Sequence, residues 1–180
     1  FRSFDIDSGI DHLQQFGVTY YASSSKVATN EALKHPFLRE VAKSGPWTVF
    51  EIKNSELVAP LNLEPVIVNK LTHSEWLVPA VNVFQKGSSE VTRTIDGMDT
   101  WQQMDQNQVP ELRTLPKVEI SEIRNGTDYV HFKVDQVGIP VLVKTSYFPN
   151  WKAKGAHGPW RATPNFMVVV PTDEEVELNY

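Results

Sequence analysis

The chain carries five histidines, His12, His35, His73, His131 and His157, the residue type best suited to hold a metal or move a proton near neutral pH. They are spread along the whole sequence, and no two stand at the short spacing that sets paired ligands on one helix or hairpin. This spacing predicts unrelated surface or half-buried imidazoles and no metal site; a three-histidine site assembled by the fold is the alternative. Asp5-Ile6-Asp7-Ser8-Gly9 resembles the start of a calcium loop, but Ile10 occupies the position where such a loop needs glycine for its sharp turn. A helix N-terminus accounts better for these carboxylates, because anions are stabilised there. Asp173-Glu174-Glu175 crowds like charges together and reads as a solvated turn between strands. Ser23-Ser24-Ser25 has no patterned base beside it, so turn chemistry is expected rather than a nucleophile. Asn125-Gly126-Thr127 fits a glycosylation acceptor and equally a hairpin turn. No nucleophile elbow, phosphate-binding loop or dinucleotide fingerprint occurs.

The densest chemistry lies between Tyr147 and Met167, YFPNWKAKGAHGPWRATPNFM. Rings at Tyr147, Phe148, Trp151, Trp160 and Phe166 are interleaved with Pro149, Gly155, Gly158, Pro159 and Pro164. Aromatic rings on loops can stack on the C–H faces of sugars while polar neighbours bond the hydroxyls. Tyr147, Trp151, Trp160, Arg161 and Asn165 are therefore the candidate carbohydrate-binding residues. The competing expectation is that these rings plug the open end of a β-sandwich and that the Pro and Gly residues shape its turns.

The elements that must position these groups change character along the chain. Within 1–70, Ser8 and Asp11 suggest a capping box for a short helix closed by Gly17. A strand is expected over Val18–Ala22, a helix over Val27–Lys34, and a hairpin of Phe37–Ala42 with Trp47–Ile52 around Lys43-Ser44-Gly45-Pro46. Leu57–Val58 and Pro65–Val68 read as extended. Residues 71–116 form a helical or irregular connection. Thr72 and Glu75 suggest a cap, Pro79 a kink or end of the following helix, Gly97–Met104 one or two helical turns, and Asn107–Pro116 a linker. Over 117–180 the apolar period becomes two, with strands expected at Val118–Ser121, Tyr129–Val134, Val141–Phe148, Phe166–Val170 and Val176–Tyr180. The resulting fold class is α+β: a small α/β N-terminal lobe, then an antiparallel, jelly-roll-like β-sandwich that strands from the first lobe can join.

Bulk properties bound the function. Of 180 residues, 41% are hydrophobic and 22% charged, as in a folded domain rather than a disordered segment. With 17 Lys plus Arg against 22 Asp plus Glu, the net charge is −5 and the basic residues are scattered, which argues against a nucleic-acid partner. Cysteine is absent, which removes disulfides, thiolate catalysis and Cys-type zinc sites. No apolar run reaches the roughly 18–20 residues that span a bilayer. The first residue is Phe1 rather than Met and the sequence itself contains no signal-peptide pattern, so a processed product or an excised piece of a longer protein is expected, the piece being favoured.

Val143–Tyr180 resembles the closing segment of a family of bacterial polytopic membrane proteins, the YfhO-like proteins and actinobacterial relatives labelled "6-pyruvoyl-tetrahydropterin synthase-related". The residues that carry the likeness are Tyr147-Phe148-Pro149-Asn150-Trp151, Gly155, Asn165-Phe166, Val168–Pro171 and Val176–Tyr180. Gly9–Tyr21 and Leu38–Glu51 resemble an earlier helix–strand segment and strand pair of that family. The resemblance implies an extracytoplasmic domain at the cell membrane, non-catalytic in itself, within a multi-span glycosyltransferase-like protein of cell-envelope glycan assembly. Its partners would be the transmembrane portion of its own parent chain and cell-envelope glycan. No catalytic residue and no cofactor is carried over, and the dispersed histidines give the pterin label no support. The alternatives are a protein-interaction module without ligand and a stand-alone pterin-type or hydrolytic enzyme.

Overall fold

The computed structural model describes residues 4–69, 71, 75–86, 91–106 and 108–180. Among them are three helices and three sheets, a mixed α/β architecture made mostly of strands. The chain divides into two compact units, Phe1–Leu57 and Val58–Tyr180.

In the first unit, α1 (Ile6–Gln15) and α2 (Lys26–Lys34) accompany a sheet of order β1-β3-β2, built from β1 (Tyr20–Ser23), β2 (Leu38–Ser44) and β3 (Trp47–Ile52). The α1 N-cap is Asp5, whose carboxylate accepts from Ser8 N–H at 3.2 Å. The helix therefore begins before the expected Ser8–Asp11 box, and Ser8 lies inside its first turn. Ser25 caps α2, its Oγ accepting from Ala28 N–H at 3.5 Å, which gives the triple serine a local structural task. The β2–β3 connection is Gly45-Pro46. Gly45 has φ of 54°, and proline fixes φ near −65°, the sign pattern of a type II′ hairpin turn. Ile10, Ala32, Leu38, Phe50 and Ile52 form the core of this unit, with Ile6, Leu13, Val18 and Tyr21 packed on it.

The second unit holds β4 (Val58–Pro60), β5 (Val66–Val68), α3 (Leu77–Lys86), β6 (Arg93–Thr94), β7 (Gln103–Met104), β8 (Ile120–Asn125), β9 (Tyr129–Val134), β10 (Val141–Val143), β11 (Lys152–Lys154), β12 (Ala156–Ala162), β13 (Phe166–Pro171) and β14 (Glu175–Asn179). Seven strands run in the order β4-β10-β13-β12-β6-β5-β7 and four in the order β11-β14-β9-β8. All pairings are antiparallel except β5 with β6 and with β7, which are parallel. β4 and β5 lie within the first 70 residues but belong to the same sheet as the C-terminal strands. Every residue of β13 is buried, as a continuous apolar run in a strand covered on both faces requires. β9 and β14 instead alternate, burying Val130, Phe132, Val134, Val176 and Leu178 on one face.

Several local expectations change. α3 starts at Leu77, so Pro79 sits in its first turn, where its missing N–H has no intrahelical partner to lose. Gly97–Met104 contains no helix: Trp101 N–H closes a turn on Met98 O at 2.9 Å, and Gln103–Met104 goes into β7. The strand from Val141 ends at Val143, and Lys144–Phe148 is irregular because Tyr147 N–H is drawn to Asn165 O at 2.8 Å. Residues 108–116 are tied down, with Leu115 N–H donating to Asn62 O, Glu64 N–H to Arg113 O, and Arg113 paired to Glu64 at 3.1 Å. Thr72 and His73, residues 87–90, and Asn107 lie outside the described residues.

Candidate functional site

The five candidate residues separate into three places in the second unit. Trp151 is only 6% exposed, and its ring lies edge-on to Tyr180 at 5.4 Å. Tyr180 in turn meets the exposed Phe148 at 6.1 Å. Trp160 turns into the apolar cluster of Ile67, Trp101, Ala162, Val168 and Val170, with its centroid 5.3 Å from that of Trp101. Trp151 is thus a packing residue, and Trp160 is largely one.

Tyr147, Arg161 and Asn165 do converge. Arg161 Nε donates to Asn165 Oδ1 at 2.9 Å, and Tyr147 N–H donates to the Asn165 carbonyl at 2.8 Å. The guanidinium carbon of Arg161 lies 4.8 Å from the ring centre of Trp76, a cation–π geometry. Trp76 is buried and donates from Nε1 to Pro164 O at 2.7 Å, so the ring under Arg161 is held in place. Partial burial pulls the Arg161 pKa below its usual value, and nearby Tyr147 opposes that shift. The local cause is strand alternation: Trp160 and Arg161 are consecutive in β12 and point to opposite faces, the indole to the core and the guanidinium to the corner. Between His157 and Trp160 the β12–β13 register shifts, which accommodates Gly158-Pro159 inside a strand. At Gly155, φ is 74° and a Cβ would collide with the Glu175 carbonyl, so the turn before β12 needs glycine. Chemically, the corner offers a cation with planar donors, an amide and the partly exposed Tyr147, with the buried Trp76 ring behind the guanidinium.

Trp76 is the corner residue that the sequence pattern does not single out. The apolar pattern assigns it to a helix face, whereas it forms the turn before α3 and meets Pro164 across 88 residues. No local spacing encodes that contact.

The other chemical candidates have structural partners. The His35 side chain is largely covered, donates from Nε2 toward Asp7 at 3.1 Å and accepts the Phe37 N–H on Nδ1, which explains the second carboxylate of the Asp5-Ile6-Asp7 run. Ser23 Oγ accepts from Thr29 at 3.2 Å. Asp173, Glu174, Glu175 and Glu177 line an open, polar cleft of about 500 Å³ with His131 and Lys154. Among the described residues, no group of three or more His, Asp or Glu side chains is placed to hold a metal ion, and no helix is long and apolar enough to cross a membrane. No protein-family model matches the chain, and no significant match to it occurs among curated proteins or solved structures.

Proposed function

We propose that the chain is a non-catalytic, extracytoplasmic recognition domain of a multi-span, glycosyltransferase-like membrane protein, and that it contacts cell-envelope glycan through the corner of Tyr147, Arg161 and Asn165. The membrane setting rests on the resemblance of Val143–Tyr180 to the YfhO-like proteins. The observation that carries the binding role is the guanidinium of Arg161, held over Trp76 and oriented by Asn165 at a half-exposed corner. A pre-oriented planar donor beside the partly exposed Tyr147 suits sugar hydroxyls and a ring face. In this reading Val58–Tyr180 is a jelly-roll-like sandwich, supported by the buried single face of β9 and β14 and the doubly buried β13.

The test is titration of the 180-residue chain with solubilised fragments of bacterial cell-envelope glycan, followed by tryptophan fluorescence. Binding that falls about tenfold in Arg161→Gln supports the reading. Binding unchanged in that variant, or no binding to any fragment, removes it.

One observation favours the interaction-module reading. α3 leaves Leu77, Val78 and Val81 exposed along its length, an apolar face suited to a protein partner. Co-purification with transmembrane segments of the parent protein, lost in Val81→Glu and without glycan binding, would favour it.

A further inference from the structure

The outer face of the first unit's sheet is a second feature with chemistry. The residues at 48, 50 and 52 of β3 are buried, so Trp47, Val49 and Glu51 point to the opposite face. The strand registers set their neighbours. Glu51 lies between Tyr20 of β1 and Arg39 of β2. Val49 lies between Ala22 and Ala42, and Trp47 pairs with Ser44. The face therefore has three rows: a wall of Tyr20 and the Arg39–Glu51 pair, a low floor of small apolar side chains, and a second wall at Trp47. Rows two residues apart stand roughly 7 Å from each other and strands roughly 5 Å, so the floor lies in a trough about 13 Å long and 10 Å wide.

Both walls face water. Tyr20 is 59% and Trp47 51% exposed, whereas Trp76, Trp101 and Trp151 are all buried. We propose that this trough is a binding site for a neutral saccharide, distinct from the corner of the second unit. Trp47 supplies a ring face for sugar C–H groups, and the small floor lets a pyranose approach the sheet. Arg39 Nε donates to Glu51 Oε2 at 2.8 Å, so the opposite wall presents donors and an acceptor side by side. Hydroxyls both donate and accept and match such a pair, while its two charges cancel and select no charged ligand.

The same pair discriminates against other occupants. An acyl chain or an apolar protein surface would strip water from Arg39 and Glu51 and return no hydrogen bonds. Strand addition by a second copy along β2 meets a bulge between Glu40 and Ala42 and the charged, exposed Arg39, Glu40 and Lys43.

The test uses the 180-residue chain with cellohexaose, maltohexaose, laminarihexaose and chitohexaose as probes, read by backbone NMR shifts and tryptophan emission. At least one should bind with a Kd of about 0.1–10 mM, as expected for an open site, and shift the amides of β1, β2 and β3. Trp47→Ala should weaken it about tenfold and Glu51→Gln about fivefold, while Arg161→Gln leaves it unchanged. Filling the floor with Ala42→Trp should abolish it. The inference falls if no probe shifts these strands at about 20 mM, or if binding survives Trp47→Ala. It also falls if the saccharides do not bind and Trp47→Ala instead abolishes association with phosphatidylcholine–phosphatidylglycerol vesicles or self-association in sedimentation. Loss of corner binding in Arg161→Gln with trough binding intact, or the reverse, tells the two sites apart.

Discussion

β13 and β3 are both central strands of their sheets, and they are covered in opposite ways. β13 is buried at all six positions, whereas β3 alternates and leaves Trp47 on an open face. FMVVVP is a continuous apolar run, whereas in WTVFEI burial alternates without a matching alternation of residue type, since Thr48 is buried and Trp47 exposed. A strand covered on both sides has its side chains committed to packing, and one covered on a single side keeps half of them for recognition. The same contrast separates Trp151 from Trp47. Two residues of one type have opposite surroundings, and exposure rather than identity separates them.

Substitutions can break or sharpen this contrast. Phe132→Ala, at a fully buried position of β9, should have the largest effect, about 3–5 kcal/mol lost in urea unfolding of the second unit. Trp151→Ala should approach it, at about 3 kcal/mol; if stability instead stayed constant while glycan binding fell, its packing role would be wrong. Ser25→Ala removes the α2 cap and should cost about 1 kcal/mol, visible as faster hydrogen exchange in the first turn of α2. Trp47→Ala should alter stability by no more than about 0.5 kcal/mol, because its ring gains little from folding.

The smallest effect concerns the exposed pairing of Lys133 with Glu122 at 3.0 Å and Glu175 at 3.2 Å. The hydrogen bond to Lys133 holds Glu122 below the usual carboxylate range, and the bonds to Glu122 and then Glu175 hold Lys133 above the usual lysine range. A depressed carboxylate stabilises above its unfolded pKa and loses that contribution as pH falls through its folded value. A raised lysine stabilises below its unfolded pKa and loses the contribution as pH rises through its folded value. The interaction is thus present at neutral pH and lost at both extremes. Glu122→Gln should flatten the acid-side slope of stability, and salt should mimic it.

Much of the fold is legible in the chain because the signals are local. The Gly45-Pro46 hairpin, the helix over Lys26–Lys34 and the alternation of β9 all follow from neighbouring residues. What escapes is settled at a distance. Trp101 reads as helical, yet the strand after it is fixed by parallel pairing with β5. Val141–Phe148 reads as one strand, yet Asn165 captures Tyr147 and ends the ladder. The aromatic segment yields Tyr147, Arg161 and Asn165 as neighbours, but spacing cannot tell that Trp151 faces inward or that Trp76 completes the corner. The trough on the first sheet escapes for the same reason, since its rows form only when three strands align.

The pairing of β4 with β10 also constrains how the polypeptide can be made. Val58 sits opposite Val143, so the first strand of the large sheet emerges from the ribosome long before its partner exists. At cellular elongation rates the intervening stretch of roughly 80 residues takes about 4–16 s to synthesise. Throughout that interval Val58–Pro60 has an unsatisfied ladder edge, and a nascent chain stalled before β10 would be a ready target for chaperones that shield bare backbone.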